Sequence, residues 1–206
     1  MCKFLLTGIA ALALAGAAAN ANAAEFANYP CTGEAAKKQG CRVLAITGEI
    51  KEGDDEKFRA YVAPMLSQLN YVVVYLHSPG GIRTAALEIG RLIRGNGWST
   101  YVPNNYVCAS MCTAIWLAGE HRFYQEKASI GVHSVYFEQK KKPPAVSGGG
   151  NAVVGAYYRD LGLDDNAIYT LTVPIPTQML WLTSELLVKL KIKAELVPTK
   201  SAQNGR

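Results

Sequence analysis

The sequence predicts an α/β fold with a mostly parallel sheet and crossover helices, and three observations carry this prediction. Residues 71–76, Tyr-Val-Val-Val-Tyr-Leu, form a near-continuous apolar run, which is typical of a strand buried on both faces of a parallel sheet. From residue 42 onward, strand-like and helix-like segments alternate, as they do in right-handed crossover units. The buried strand ends in Ser78-Pro79-Gly80-Gly81, at the edge where open α/β sheets bind their ligands.

The first half of the chain supplies the elements around this strand. Residues 42–50 are apolar and β-branched enough for a strand. A helix capped by Asp54 or Asp55 is expected to run to about residue 70, because its apolar residues repeat every three or four positions. Residues 85–93 predict a second helix, which Gly95-Asn96-Gly97 ends, and 98–102 predict a short strand.

The second half continues the alternation. An apolar run of helical length follows Ser110 and ends at Gly119. Residues 122–124 and 130–137 predict strands. The lysines, prolines and glycines of 138–151 predict a mobile loop. The remainder predicts helices over 152–161, 165–171 and 184–190, with Asp164 or Asp165 and Thr183 as caps.

Residues 1–23 have the features of a signal peptide. Lys3 gives a positively charged start, residues 4–19 are apolar, and Ala21-Asn22-Ala23 has the small-x-small form of a cleavage site. The apolar part is shorter than the ~20 residues of a membrane span. We therefore expect export to the bacterial periplasm or secretion. The expected division is an N-terminal segment over 24–41, a folded domain over 42–198 and a polar tail over 199–206.

Four cysteines follow the predicted signal, and an exported protein can pair them. Nearness in sequence favours a Cys31–Cys41 disulfide that clips the 24–41 segment, whereas the pairing of Cys108 with Cys112 stays open. No histidine lies near these cysteines in sequence and their spacing is not that of a zinc site, so no metal and no cofactor are expected. The net charge of +5 is scattered apart from the run 140–142, so nucleic acid is not an expected partner.

Two residues are candidates for catalysis. Ser110 occupies the N-cap position before an apolar helix, where unpaired backbone N–H groups favour developing negative charge. His133 lies in an otherwise apolar strand and could serve as the base that a serine nucleophile needs. Each has a purely structural alternative, since serine caps many helices and a strand histidine is often a satisfied core residue. Gly80-Gly81 could equally be a plain strand-to-helix turn.

Three motifs taken together resemble a known family. Ser78-Pro79-Gly80-Gly81, Cys108-Ala109-Ser110-Met111 and Ile130-Gly131-Val132-His133 resemble the proteolytic subunit of the Clp protease and its relatives of the Clp/crotonase fold, in the same order and at similar spacing. The resemblance extends over about residues 42–192 and includes the ending from Trp181 to Ile192. It implies a Clp/crotonase-like α/β fold.

The resemblance also implies roles for individual residues. Ser110 would be the nucleophile, His133 the general base, and the N–H groups of Gly81 and Met111 the oxyanion hole. The chain departs from the family at Met179, where the family has the aspartate that orients the histidine. The segment before Trp181 offers neutral acceptors, and we expect Gln178 or Thr177 to take the place of that aspartate.

These observations predict an exported serine peptidase-like hydrolase that acts on a peptide or protein. The alternative is a catalytically weak or inactive relative that binds peptide in the same cleft, as the missing aspartate suggests. A crotonase-type acyl-group binder is a third interpretation, but such enzymes do not need a serine–histidine pair. No ATP-driven partner is expected outside the cytoplasm, and the sequence leaves homo-oligomer formation open.

Overall fold

A computed structural model describes residues 23–199. The predicted signal peptide, apart from Ala23, and the predicted tail, apart from Thr199, lie outside the described residues. Strands and helices alternate as the sequence predicted. The strands are β1 Glu25–Pro30, β2 Cys41–Thr47, β3 Tyr71–His77, β4 Ser99–Val102, β5 Val107–Ala109, β6 Arg122–Tyr124, β7 Ser129–Val132, β8 Tyr136–Gln139, β9 Lys142–Val146, β10 Leu180–Trp181 and β11 Glu195–Leu196. The α-helices are α1 Asp54–Val62, α2 Arg83–Gly95, α3 Met111–Ala118, α4 Gly148–Asp160, α5 Asp165–Thr172 and α6 Ser184–Lys189, and 3₁₀ helices cover Gly33–Lys37 and Ala63–Gln68.

The main sheet has six strands in the order β1-β2-β3-β4-β6-β11. All neighbours are parallel except β1, which pairs antiparallel with β2. A second, three-stranded sheet has the order β10-β7-β5, in which β5 and β7 are parallel and β10 is antiparallel. An isolated bridge between Ser78 and Cys108 joins the two sheets, so the end of β3 lies beside β5, which pairs with β7.

Helix α3 lies in the centre of the core, and every one of its eight residues is buried. Such a helix needs partners for the carbonyls of its last turn. The Thr100 hydroxyl donates to the Trp116 carbonyl at 2.7 Å, and the Arg122 guanidinium donates to the Leu117 carbonyl at 2.7 Å. Burial lowers the pKa of Arg122 to about 10. The C-terminal end of α3 is therefore held in place, and this sets the direction of the helix at its first turn.

Several element predictions need correction. The segment 138–151 is a β8–β9 hairpin followed by the first turn of α4, because Lys141 adopts φ 58° at the turn and the Ser147 hydroxyl caps Gly150. The predicted strand 130–137 ends at Val132, where the Ser134 N–H leaves the sheet and bonds the Pro174 carbonyl at 2.7 Å. The first helix ends at Val62 and continues as a 3₁₀ helix, since Pro64 cannot donate within an α-helix.

Asp54, whose carboxylate is buried, is the first residue of α1 and not its predicted cap. The N-cap is Gly53. Burial alone raises the pKa of the Asp54 carboxyl, but donation from the Lys51 N–H, the Lys57 ammonium and the Ala24 N–H outweighs burial and lowers it below its ordinary value. A carboxylate held in this way stabilises the fold only while it is ionised.

We therefore expect acid to destabilise the protein through Asp54. The pKa is lower in the folded than in the unfolded state, so the contribution is complete above the unfolded value of ~3.9 and is lost as the pH falls through the folded value. Urea unfolding of the wild type and of Asp54→Asn, followed from about pH 6 to about pH 2.5, checks this expectation. The stability difference between the two proteins should shrink with acid. A difference that stays constant over this range would contradict it.

Candidate active site

The Ser110 turn joins β5 to α3. Ser110 has φ 54° and ψ −124°, a conformation that costs a residue with a side chain roughly 1–3 kcal/mol. It occupies the predicted N-cap position, but its side chain makes no capping hydrogen bond. The Ser110 N–H donates to the Gly131 carbonyl at 2.8 Å, and the Thr113 hydroxyl donates to the same carbonyl at 2.8 Å. The backbone is therefore anchored on both sides of the serine, and the hydroxyl is not used for capping.

A disulfide closes this turn. Cys108 and Cys112, whose pairing the sequence left open, are bonded, with Cα atoms 5.1 Å apart. Both residues are completely buried. The covalent ring they form contains Ser110 at its centre and Met111 beside it. The predicted Cys31–Cys41 disulfide is also present and joins the N-terminal segment to β2.

His133 follows the last residue of β7. The parallel register pairs Ala109 of β5 with Gly131 of β7, so Ser110 and His133 leave neighbouring strands at the same edge. Within residues 23–199 their side chains are not hydrogen-bonded to each other. Catalytic hydrogen bonds in ligand-free enzymes are often long and shorten when substrate binds. The fold thus places Ser110 and His133 at the same sheet edge, but in the part of the chain that the structure describes their side chains do not form a hydrogen bond with each other.

The imidazole is oriented by its own chain. His133 Nδ1 lies 2.8 Å from the Ser134 carbonyl oxygen, and the ring centroid is 5.4 Å from that of Tyr136. Because a carbonyl can only accept, Nδ1 carries the proton and the Nε2 lone pair is left to act as a base. Gln178 and Thr177, expected as the orienting acceptors, make no hydrogen bond to His133 in the described part of the chain. The acceptor on Nδ1 is instead the Ser134 carbonyl.

Met179 immediately precedes β10, next to the point where β7 ends. The antiparallel register pairs Leu180 with Val132, and Met179 and His133 lie one residue beyond this last pair on their two strands. Gln178 lies one residue further on, in a turn closed by its N–H to the Ile175 carbonyl at 2.9 Å. The Met179 side chain packs over the bare face of Gly131. The thioether side chain of Met179 thus lies against β7, two residues before His133.

Gly80 and Gly81 lie against the serine turn. The Ser78 N–H donates to the Val107 carbonyl at 2.8 Å, and the Ala109 N–H donates to the Ser78 carbonyl at 3.0 Å, so the segment after β3 runs beside β5. The Ile50 backbone bonds the Gly80 carbonyl and the Ile82 N–H, which leaves the Gly81 N–H pointing away from Ile50. In the portion covering residues 23–199, neither the Gly81 N–H nor the Met111 N–H has a hydrogen-bond acceptor. Two unpaired donors therefore flank the serine turn.

Gly80 offers a direct test of this packing. It has φ 98°, and a Cβ there would lie 2.8 Å from the Met111 nitrogen and 2.8 Å from the Ser110 Cβ. We expect Gly80→Ala to displace the serine turn, to destabilise the fold by about 1–3 kcal/mol, and to abolish reaction of Ser110 with a serine-directed phosphonate. Labelling and urea unfolding measure both effects.

Gly53→Ala is the matched control for Gly80→Ala. Gly53 has φ 80°, close to that of Gly80, but a Cβ there would meet nothing within 4 Å. It should therefore carry the backbone cost alone and keep its reactivity. Equal labelling of the two variants would mean that contact at Gly80 does not govern the serine turn.

Residues 23–199 contain no group of three or more His, Cys, Asp or Glu residues that could hold a metal ion. Nor does this part of the chain include a helix that is long and apolar enough to span a membrane. His77, the last residue of β3, accepts a hydrogen bond at Nδ1 from the Val107 N–H at 3.1 Å.

Comparison with known proteins supports the fold. No profile of a protein family matches the sequence, and no curated protein is significantly similar to it. Among solved structures, a mutant of the membrane-bound stomatin-specific protease 1510-N is similar, with a TM-score of 0.58 and 18% sequence identity over 73% of this chain and 77% of that one. Another mutant of that protease, in complex with a substrate peptide, gives a TM-score of 0.60 and 19% identity over 77% of this chain and 76% of that one. The predicted Clp/crotonase-like α/β fold is thereby confirmed.

Proposed function

We propose that this chain is an exported serine peptidase-like hydrolase with Ser110 as nucleophile and His133 as general base. The observation that carries the proposal is the Ser110 turn. A serine with a positive φ, not used as a cap, stands between two unpaired backbone N–H groups at the start of a buried helix. Backbone strain of this kind is concentrated at functional sites. A structural N-cap would have extended backbone angles and a capping bond.

The chemistry follows from these positions. His133 Nε2 takes the proton from the Ser110 hydroxyl while the oxygen attacks the carbonyl carbon of a peptide or ester. The Gly81 and Met111 N–H groups and the start of α3 stabilise the resulting oxyanion. The imidazolium then gives its proton to the leaving amine, and water releases the acyl group by the same route. The Ser134 carbonyl keeps His133 in the required tautomer throughout.

The missing carboxylate sets the expected rate. A neutral carbonyl stabilises an imidazolium less than an aspartate would, and replacing a triad aspartate with asparagine cost about 10⁴ in kcat in a well-studied protease. We therefore propose a slow enzyme. The competing proposal is an inactive relative that binds peptide in the same cleft, and the methionine at position 179 in place of the family's aspartate is the observation that favours it.

Peptides or proteins are the proposed substrates, since a neighbouring structure of this fold is described as holding a substrate peptide. Export is supported by the predicted signal and by the two disulfides, which are typical of proteins outside the cytoplasm.

Reaction of the oxidised protein with a fluorophosphonate tests the proposal. The expected result is a single adduct that peptide mapping places on Ser110, formed by folded protein and not by urea-unfolded protein. Absence of an adduct, together with retained binding of peptide, would support the inactive relative instead.

A further inference from the structure

Asp54 is a fully buried carboxylate with three donors, and one of them lies beside the predicted cleavage site. Its Oδ2 accepts from the Lys51 N–H at 2.7 Å and from the Ala24 N–H at 3.0 Å. Its Oδ1 accepts from the Lys57 ammonium at 2.9 Å, and that lysine is more than half exposed. Oδ2 therefore faces the backbone nitrogen of Ala24, whereas Oδ1 faces the partly exposed lysine.

Ala24 is itself buried, with 8% of its surface exposed. It is also the residue that the small-x-small sequence Ala21-Asn22-Ala23 makes the first of the processed chain. The cleavage motif and the buried carboxylate are independent observations, one from sequence and one from packing. They meet at the same nitrogen atom.

We propose that removal of the signal peptide after Ala23 creates an α-ammonium at Ala24 that forms a buried ion pair with Asp54. A signal peptidase adds water across the Ala23–Ala24 peptide bond: the Ala23 carbonyl becomes a carboxylate, and the Ala24 nitrogen takes up protons to become an ammonium. A one-donor amide at 3.0 Å from Oδ2 thus becomes a three-donor cation. Hydrogen bonds between ionised partners are shorter and stronger than those between neutral groups.

The segment that Asp54 binds also contacts the residues beside the serine turn. Asp54 holds the Lys51 N–H, and the preceding residue, Ile50, holds the Gly80 carbonyl and the Ile82 N–H at 2.7 and 2.8 Å. Only glycine fits at position 81, because a Cβ would lie 2.0 Å from the Ile50 carbonyl oxygen. Processing at Ala23 therefore completes a chain of contacts from the new N-terminus to Gly81. The ion pair rests on the export part of the proposed function and not on its catalytic part, whereas a consequence for catalysis rests on both.

Two measurements test the ion pair without using activity. Intact mass of the exported protein should give Ala24 as its first residue. In the native protein, the α-amine should then react with an amine-acylating reagent at neutral pH at least about tenfold more slowly than in urea-unfolded protein, because it is buried and protonated. A different first residue, or an α-amine that reacts as fast in the native as in the unfolded protein, would overturn the proposal.

A double-mutant cycle measures the coupling. Asp54→Asn is compared in the chain that begins at Ala24 and in the same chain extended by Gly-Ser, where the Ala24 nitrogen is an amide. The folding equilibrium constant should fall about fivefold or more further in the Ala24 chain than in the extended one. Asp164→Asn, which alters another carboxylate at a helix start, one that caps Ala167, is the control and should show no such difference. Equal effects of Asp54→Asn in both chains would overturn the proposal, and phosphonate labelling of Ser110 independently decides the proposed function.

Discussion

Ser110→Ala, His133→Ala and the variant carrying both substitutions are expected to share one low residual rate of peptide or ester hydrolysis. In the proposed mechanism Ser110 supplies the nucleophile and His133 removes its proton, so neither residue can act without the other. Residues that act as a unit show strongly non-additive losses. We expect each single variant to lose about 10³-fold or more in kcat, with KM nearly unchanged. The double variant should lose no more than either.

Ser67→Ala is the control for this series, because Ser67 is exposed in a 3₁₀ helix away from the site. Urea unfolding of each variant confirms that the fold is intact. The Ser110→Ala protein should also form no phosphonate adduct. Losses that multiply in the double variant would show that the two side chains act separately, and a Ser110→Ala protein with full activity would exclude a serine mechanism.

Met179→Asp is expected to raise kcat. The register pairs Leu180 with Val132, so its extension by one residue would place position 179 opposite His133, where the Cβ atoms of directly opposite residues are about 4.5–5.5 Å apart. A carboxylate there offers Nδ1 a charged acceptor in place of the Ser134 carbonyl and stabilises the imidazolium that forms in the transition state. We expect a gain of about tenfold or more, with ~10⁴ as the ceiling set by the loss of a triad aspartate.

Met179→Asn separates charge from shape in this experiment. It has nearly the size of aspartate and disturbs the packing over Gly131 in the same way, but it cannot balance an imidazolium. The gain should therefore be absent in Met179→Asn, and in Met179→Asp it should come with an altered dependence of kcat on pH. No gain in a folded, reactive Met179→Asp protein would count against both the register and the proposed role of His133.

The parts of the site that lie in local sequence could be predicted, and the parts set by tertiary contacts could not. The buried run 71–76 with its Ser-Pro-Gly-Gly end, and the serine before an apolar helix, are local patterns, and the structure has both where the sequence placed them. The partner of the imidazole, the Ser134 carbonyl, is adjacent in sequence, but a distant contact places it there. Its position depends on where β7 ends, and this is set by the hydrogen bond from the Ser134 N–H to the Pro174 carbonyl, 40 residues away in sequence.

The β8–β9 hairpin and strand β1 were missed for a related reason. Lysine, proline and glycine over 138–151 resemble a loop in composition, yet the backbone pairs Tyr136 with Val146 across a tight turn. Strand β1 shows a mixed pattern of partly and fully exposed residues, because it is an edge strand whose pairing with β2 supplies most of its contacts. Neither element carries the periodicity by which strands are recognised in sequence.

Because of the Cys108–Cys112 bond, the Ser110 turn reaches its final form only after an oxidation step. Two thiols must be oxidised before the ring around Ser110 exists, and a newly made chain in a reducing compartment holds them as thiols. Once closed, the bond is completely buried, so soluble thiols have no direct path to it. The disulfide that holds the Ser110 turn therefore forms late and then persists. A chain that never leaves a reducing environment carries the same residues but lacks the disulfide that holds the Ser110 turn.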